Sequence, residues 1–338
     1  MINILKELCV LRGVSGHEDE VRNYIEKRIS LYADEIITDS MGNLMAFVKG
    51  VKTPKKTLML AAHMDEVGLI ITGITDGGYL RFDFAGGIDR RVVPGKCLMV
   101  GDAGITGVIG FRAWHHLEGG ERESLTKTGE MLVDIGAGSR AAAEKLVLPG
   151  DYAVFSGEWL EFGDGFVKAR AIDDRFGCAA MIKLVEEGLP CDAWLAFTVQ
   201  EELGTRGAQI AAYRVAPDAS LVIEGTTAAD LPGVSDGKEV TKLGAGVVIP
   251  YMDRGAIYDR GICSRLTALA AENGIPWQTK SLVAGGTDGS AIQKSRGGVA
   301  TSVISAPLRN IHSPASVAKI SDLENVLDLA RAFMGDWK

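Results

Sequence analysis

Several short apolar runs in this chain stop abruptly at charged residues, and this restricts the fold more than any other feature. Ala193-Trp194-Leu195-Ala196-Phe197-Thr198 leads into Val199-Gln200-Glu201-Glu202-Leu203-Gly204. Thr57 to Ala62 leads into His63-Met64-Asp65-Glu66, Ser220 to Ile223 into Glu224-Gly225-Thr226-Thr227, and Val299 to Ser305 runs on toward Asn310-Ile311-His312-Ser313. Continuous apolar runs of this length read as buried strands. Charge at the end of a buried strand is costly unless something there uses it. In open α/β sheets ligands and catalytic groups collect at the carboxyl ends of strands. The plain alternative for Glu201-Glu202 alone is a solvated strand-to-helix corner.

The stretches between these runs divide the chain. Residues 2–12 carry Ile4, Leu5, Leu8 and Leu11 at helical spacing. Ser15-Gly16-His17-Glu18 has the form of a capping box, with Ser15 as N-cap of a helix to about Leu31. His17 then lies in a first turn as a surface residue. Glu35 to Thr38 and Asn43 to Val48 predict a strand pair. From about Val67 to Leu160 short β-rich runs alternate with glycine-containing turns, which predicts a small barrel or sandwich interrupted by one helix near Ser139 to Leu146. His115-His116 falls in a polar loop of that region. After Gly163 helical and strand patterns alternate again. Asp173-Asp174-Arg175 opens a long helix to Glu187, Gly285-Gly286-Thr287-Asp288-Gly289 precedes a helix to Lys294, and Ile320 to Trp337 closes the chain as an amphipathic helix. The expected organisation is an α/β unit formed by 1–65 and 162–338, with a β-rich insert at 66–161. Such an insertion leaves the parent sheet intact when its ends lie close together.

Length and charge exclude some functions. At 338 residues the chain is long enough for two domains. A net charge of −8 argues against nucleic acid as the main partner. No apolar run reaches the about 20 residues that span a bilayer, and Lys6, Glu7 and Arg12 break the N-terminal apolar stretch, unlike a secretion signal. Five scattered cysteines with no CxxC pair suggest buried thiols in a reducing compartment. A cytoplasmic protein with no membrane partner is expected. Gly101-Asp102-Ala103-Gly104 lies between strands and opens no helix, so it is not a nucleotide loop.

Collecting the polar strand ends gives His63, Asp65, Glu201, Glu202, Glu224 and His312, with Asp173 at a helix start. Each alone has a structural reading, as a hydrogen-bonded histidine or a helix cap. Together they are a borderline-to-hard ligand set suited to Zn, Co or Mn. A two-metal centre needs a bridging carboxylate and further ligands for each ion. It also leaves one free carboxylate as general base. Asp65, two residues from His63, suits a role in orienting that imidazole.

His63-x-Asp65, Asp173-Asp174-Arg175, Glu201-Glu202-x-Gly204, Glu224-Gly225-Thr226 and Asn310-x-His312-Ser313 together resemble the glutamyl and deblocking (tetrahedral) aminopeptidases. Gly86-Gly87-Ile88-Asp89, Val93-Pro94-Gly95, Asp134-Ile135-Gly136-Ala137 and Gly286-Thr287-Asp288-Gly289 are similar to further stretches of that family. The resemblance runs over essentially the whole chain. It implies a mixed-sheet α/β metallo-exopeptidase domain of phosphorylase/hydrolase-like type with an inserted small β-barrel. It implies two divalent ions per subunit: Asp173 bridging, His63 and Glu224 on one, Glu202 and His312 on the other. Glu201 is then the general base, Asp65 supports His63, and Thr287 and Asp288 belong to the substrate site. Many relatives carry aspartate at the position of Glu224. The implied activity removes N-terminal residues from peptides, within a dodecamer built through the insert.

Glu224 to Asp230 is closer to the glutamyl type, which predicts an acidic substrate preference, with Arg254 as first candidate for the clamp and Arg260 as second. Competing expectations are a broad leucyl-type aminopeptidase, a non-catalytic assembly protein, and a glycoside hydrolase working with paired carboxylates. The last needs a pair about 5–9.5 Å apart across the bond, which adjacent Glu201 and Glu202 are poorly placed to give.

Overall fold

Leu58–His63 is buried at all six positions, and Ala219–Thr227 at every position but the last. Strands of that kind must be covered on both faces. The computed structural model, which describes residues 1–338, shows how. Eight strands form one mixed sheet in the order Glu35–Thr38, Leu44–Val48, Ala193–Thr198, Leu58–His63, Ala219–Thr227, Ala300–Leu308, Val247–Val248, Trp277–Gln278. The middle four run parallel, and both flanks add antiparallel pairings.

Alternate residues of the middle strands enter different layers, as the two-residue strand period requires. Leu58, Leu60, Ala62, Leu195 and Phe197 pack with the helices Ile2–Val10, Asp19–Ile29, Ile172–Glu187 and Ile320–Asp336. Met59, Ala61, Ala196 and Val222 pack with Arg206–Val215 and Gly289–Ile292 on the other side. The helix Ile172–Glu187 is buried around most of its circumference, as expected where a helix is covered on all sides. Its first turn delivers Asp173, Asp174 and Arg175.

The β-rich region closes into a six-stranded barrel: Gly68–Ile74, Leu80–Ala85, Leu132–Asp134, Ile105–Gly110, Cys97–Val100 and Tyr152–Phe155. It has its own core, including Leu69, Ile71, Leu98, Val100, Val133 and Phe155. The barrel, rather than the sandwich, is therefore the form adopted. Immediately after it, Leu160–Phe162 and Phe166–Ala169 form a hairpin that pairs with Ser316–Lys319.

At the junction, Glu66 is fully buried between Arg170 and Arg175. The two guanidiniums also donate to the carbonyls of Leu8, Val10 and Leu11, at the C-terminal end of the first helix. Two buried cations with one carboxylate are tolerable because carbonyls at the helix end, where acceptor capacity is left over, complete the set.

Three local expectations are corrected. The second helix starts at Asp19 with Glu18 as N-cap and no side-chain cap bond; the Ser15 hydroxyl donates instead to Asp65. The helix near Ser139 is only Arg140–Ala143, capped by Ser139. Cys97 is exposed on the barrel, and the other four cysteines are buried thiols. No helix is long and apolar enough to cross a membrane.

Candidate active site

The sheet register sets the first two residues. Val222 pairs with Ala61 in parallel strands, so Glu224 and His63, each two residues further, lie level on the same face. Glu224 Oε1 is 3.3 Å from His63 Nε2. Asp173 enters from the helix start beside them. Its Oδ1 lies 3.5 Å from His63 Nε2 and its Oδ2 lies 3.4 Å from His312 Nε2. Glu202 Oε2 is 3.2 Å from the same nitrogen of His312. Asp173 thus stands between two imidazoles, each with a second carboxylate. Gly225 is required here, since a Cβ on it would come within 2.7 Å of Asp173 Oδ1.

These separations fit metal ligation. Ligand atoms about 2.0–2.1 Å from a tetrahedral ion are about 3.3–3.4 Å apart. Asp173 Oδ1 and Glu224 Oε2 are buried with no hydrogen-bond partner, a costly state unless a cation completes them. A ligand atom of Asp174 also lies within 4.8 Å of those of His63 and Glu224. However, its oxygens already accept from the backbone N–H groups of His63 and Gly177, so it braces the strand end. Glu202 likewise approaches His63 and Asp173 within 4.8 Å, but His312 is its nearer imidazole.

Electrostatics point the same way. Burial pushes the Glu202 carboxyl up to about 8 and that of Glu224 up to about 8, against the pull of His312 and His63 respectively. Burial likewise raises Glu201 well above the usual carboxylate range. It would also lower His312, but Asp173 and Glu202 overcome it and lift the imidazole to about 9. In Asp173 the burial penalty is outweighed by His312 and His63, which hold it below its ordinary value. Burial thus biases Glu201, Glu202 and Glu224 toward their neutral forms in the absence of added positive charge. A divalent cation inverts that balance.

Both imidazoles are oriented through Nδ1. In His63 it faces the Asp65 carbonyl at 3.1 Å, closer than the Asp65 carboxylate at 3.4 Å. In His312 it faces the Gly87 carbonyl at 2.8 Å. Gly87 belongs to the barrel region, so the insert directly supports the second histidine. That role was not drawn from the sequence, although Gly86-Gly87-Ile88-Asp89 had marked the place. Asp65 spends its carboxylate elsewhere: Oδ1 accepts from Glu201 N at 2.9 Å, while Oδ2 accepts from Glu202 N at 3.1 Å and from Ser15 Oγ at 2.5 Å.

The turns that deliver these groups pass through left-handed backbone at Ala171, Gln200, Asn310 and His312. Such non-glycine positions cost on the order of 1–3 kcal/mol each and persist where surrounding contacts over-determine them.

Glu201 reaches into the cleft, its side chain 13% exposed and Oε2 4.0 Å from His63 Nε2. The opposite wall is formed by Lys280, Ala284, Gly285, Gly286 and Thr287. Arg254 does not line the cleft; it is exposed, and only its backbone N–H touches that wall, at the Gly285 carbonyl. Arg260 is exposed at a helix start. The cation in the cleft is Lys280, which sequence reasoning passed over because it took Pro276 to Lys280 only as a strand; the strand is Trp277–Gln278, and Lys280 lies beyond it. Burial pulls its ammonium below its ordinary value, against Asp253, Glu224 and Asp173. Thr287 lines the wall, but its hydroxyl contacts Tyr258 OH at 3.1 Å and Gly289 N at 3.2 Å. Asp288 is fully buried behind the wall, accepts from Thr198 Oγ1 at 2.5 Å, and does not face the cleft. His115 and His116 are exposed in a loop of the barrel region and do not line the cleft.

The mixed α/β sheet with its closed six-stranded barrel is the fold of the metallo-exopeptidases. The family profile of the M42 glutamyl aminopeptidases matches residues 42–329. The solved aminopeptidase of Desulfurococcus kamchatkensis is 36% identical, covers 99% of this chain and 94% of its own, and superposes with a TM-score of 0.94. The TET1 peptidase of Pyrococcus horikoshii, described as assembling into a tetrahedron or a large octahedral shell, is 35% identical over 99% of both chains, with a TM-score of 0.86. The lysyl aminopeptidase of Pyrococcus furiosus is 31% identical over 99% of this chain and 97% of its own. The chain belongs to the M42 aminopeptidase family and is an exopeptidase.

Proposed function

We propose that the protein is a two-metal aminopeptidase in which Glu201 is the general base. The observation that carries this reading is Asp173, whose two oxygens face different imidazoles while Glu201, though in the same cleft, pairs closely with neither. His63 and Glu224 would hold one ion, His312 and Glu202 the other, with Asp173 shared. Glutamate at 224 reaches His63 Nε2 without difficulty. Zn, Co and Mn suit this donor set. Bound there, two such ions supply Lewis-acid anchorage for the substrate amine and carbonyl and lower the pKa of water they hold. Glu201 takes the proton of the attacking water and returns it to the leaving amine. Its burial and acidic surroundings favour a proton-accepting role, since they raise its affinity for a proton.

An acidic N-terminal residue is the proposed preference, now on Lys280 rather than Arg254. Lys280 Nζ donates to one carbonyl, Ala284 at 3.1 Å, so two of its protons remain for a substrate carboxylate. Assembly into a hollow homo-oligomer through the barrel is part of this proposal, supported by the likeness in fold to the TET1 peptidase, which assembles into a tetrahedron or a large octahedral shell. A glycoside hydrolase needs two carboxylates flanking a bond and has no use for a matched imidazole pair. The test is aminopeptidase assay after chelation and after return of Zn, Co or Mn, with Glu201→Gln alongside. The variant should bind two ions and lose about 10²- to 10⁴-fold in kcat; an active Glu201→Gln enzyme removes the base assignment.

A further inference from the structure

The turn that presents Glu201 and Glu202 has an unusual set of partners. Each of its four consecutive backbone N–H groups donates to a side-chain oxygen, and the four oxygens come from three residues far apart in the chain. Val199 N donates to Asn43 Oδ1 at 3.0 Å, Gln200 N to Glu18 Oε1 at 3.2 Å, Glu201 N to Asp65 Oδ1 at 2.9 Å and Glu202 N to Asp65 Oδ2 at 3.1 Å. The holders are themselves fixed. Asn43 Nδ2 donates to Asp39 and to the Gly207 carbonyl. Ser15 Oγ donates to Asp65. Glu18 Oε1 also accepts from Gly16 N at 2.7 Å. Ser15, Glu18, Asn43 and Asp65 are all buried.

We infer that Glu18 is a positioning residue for the general base: its carboxylate holds the left-handed Gln200 from the far side of the turn and so fixes where the Glu201 side chain enters the cleft. The inference rests on the proposed role of Glu201. Glu18 caps no helix with its side chain; its buried carboxylate closes its own turn at Gly16 N and reaches across the fold to Gln200 N. A left-handed non-glycine residue is under strain and relaxes when a partner is removed. Relaxation at Gln200 would rotate the next peptide, which carries the base. Glu201 N and Glu202 N both stay bonded to Asp65, so the turn is not lost and the metal ligand keeps its place, while the released Gln200 side of the turn tilts the entry of the base. Displacement of a catalytic group by about 1 Å is enough to cost about 10²-fold in rate.

The experiment compares metal-loaded wild type with Glu18→Ala, Glu18→Asp, Glu18→Gln and Glu201→Gln. The measurements are kcat, KM, bound metal per chain and thermal unfolding. Glu18→Ala and Glu18→Asp, the latter too short to reach Gln200 N, should each lose about 10- to 100-fold in kcat, with KM and metal content near wild type. Glu18→Gln retains an oxygen at Oε1 and should keep most of kcat. A merely structural role would lower the unfolding temperature and leave kcat of the folded holoenzyme unchanged. Wild-type kcat in folded Glu18→Asp, or a Glu18→Gln enzyme as slow as Glu18→Asp, overturns the inference, and this reading stands even if Glu18→Ala does not fold. Glu201→Gln separates the two levels. If it is active, the reading of the base has failed; if it is inactive while Glu18→Asp is fast, only the role of Glu18 has.

Discussion

Asp65 Oδ1 accepts the backbone N–H of Glu201 at 2.9 Å. The residue two places beyond His63 is therefore tied both to the first imidazole and to the peptide that carries the proposed base. It links two strand ends whose sequence positions are 136 apart.

Asp65→Asn tests that link. An amide retains one acceptor oxygen but turns an NH₂ group toward donors already in place at Ser15 and Glu202. A buried donor facing a donor loses its partner. The expected result is about a 10- to 100-fold loss of activity with weaker metal retention, the usual effect of disturbing a group behind a metal ligand. Activity within twofold of wild type would show that the carboxylate is dispensable.

Removing ligands one at a time should reveal the two sites as separable. His312→Ala should reduce bound metal from two ions per chain to one, and His63→Ala should do the same at the other site. Asp173→Asn, which touches both imidazoles, should weaken both ions. Elemental analysis after dialysis against a weak chelator gives the stoichiometry. Equal loss of both ions in His312→Ala would contradict the division.

The metal-free protein should become less stable as pH rises from about 4.5 to 9. Glu202 and Glu224, raised from 4.5 to about 8, bind protons when folded that the unfolded chain has released. His312, raised from 6.5 to about 9, does likewise at higher pH. Where the folded state binds more protons, stability falls with increasing pH. Added Zn or Mn should reverse the trend above pH 7 and release protons on binding, because ligands must deprotonate. Unfolding temperatures across pH, with and without metal, give the first sign; proton release in weak buffer gives the second.

Lys280→Ala should separate substrates by charge. Loss of a charge-assisted bond worth about 1.5–3 kcal/mol lowers kcat/KM by about 10- to 100-fold. That loss is expected for Glu-p-nitroanilide and not for Leu-p-nitroanilide. A wild-type enzyme that turns over Leu or Lys substrates faster than Glu would sink the acidic preference outright, and the lysyl aminopeptidase relative makes that comparison necessary.

Much of the architecture could be read from local pattern. The apolar runs ending at His63, Thr198 and Glu224 are strands of one sheet because four to six consecutive buried residues can satisfy their backbone only in a sheet covered on both faces. The β-rich texture of the insert likewise reported short strands, though not their closure. Capping was misread at Ser15 because a serine three residues before a glutamate satisfies the local rule, whereas the competing partner, Asp65, is 50 residues away.

The sequence by itself determined which chemical groups stand at strand ends: two imidazoles and several carboxylates. Only the tertiary structure decided what those groups do. It placed Asp173 between the histidines, brought the Gly87 carbonyl from the barrel to His312, and turned Glu18 toward Gln200. It put Lys280 in the cleft and left Arg254 outside. The reason is physical. Local spacing sets periodicity and therefore faces, but partners 100 to 225 residues apart meet only after the sheet has formed and the insert has docked on it.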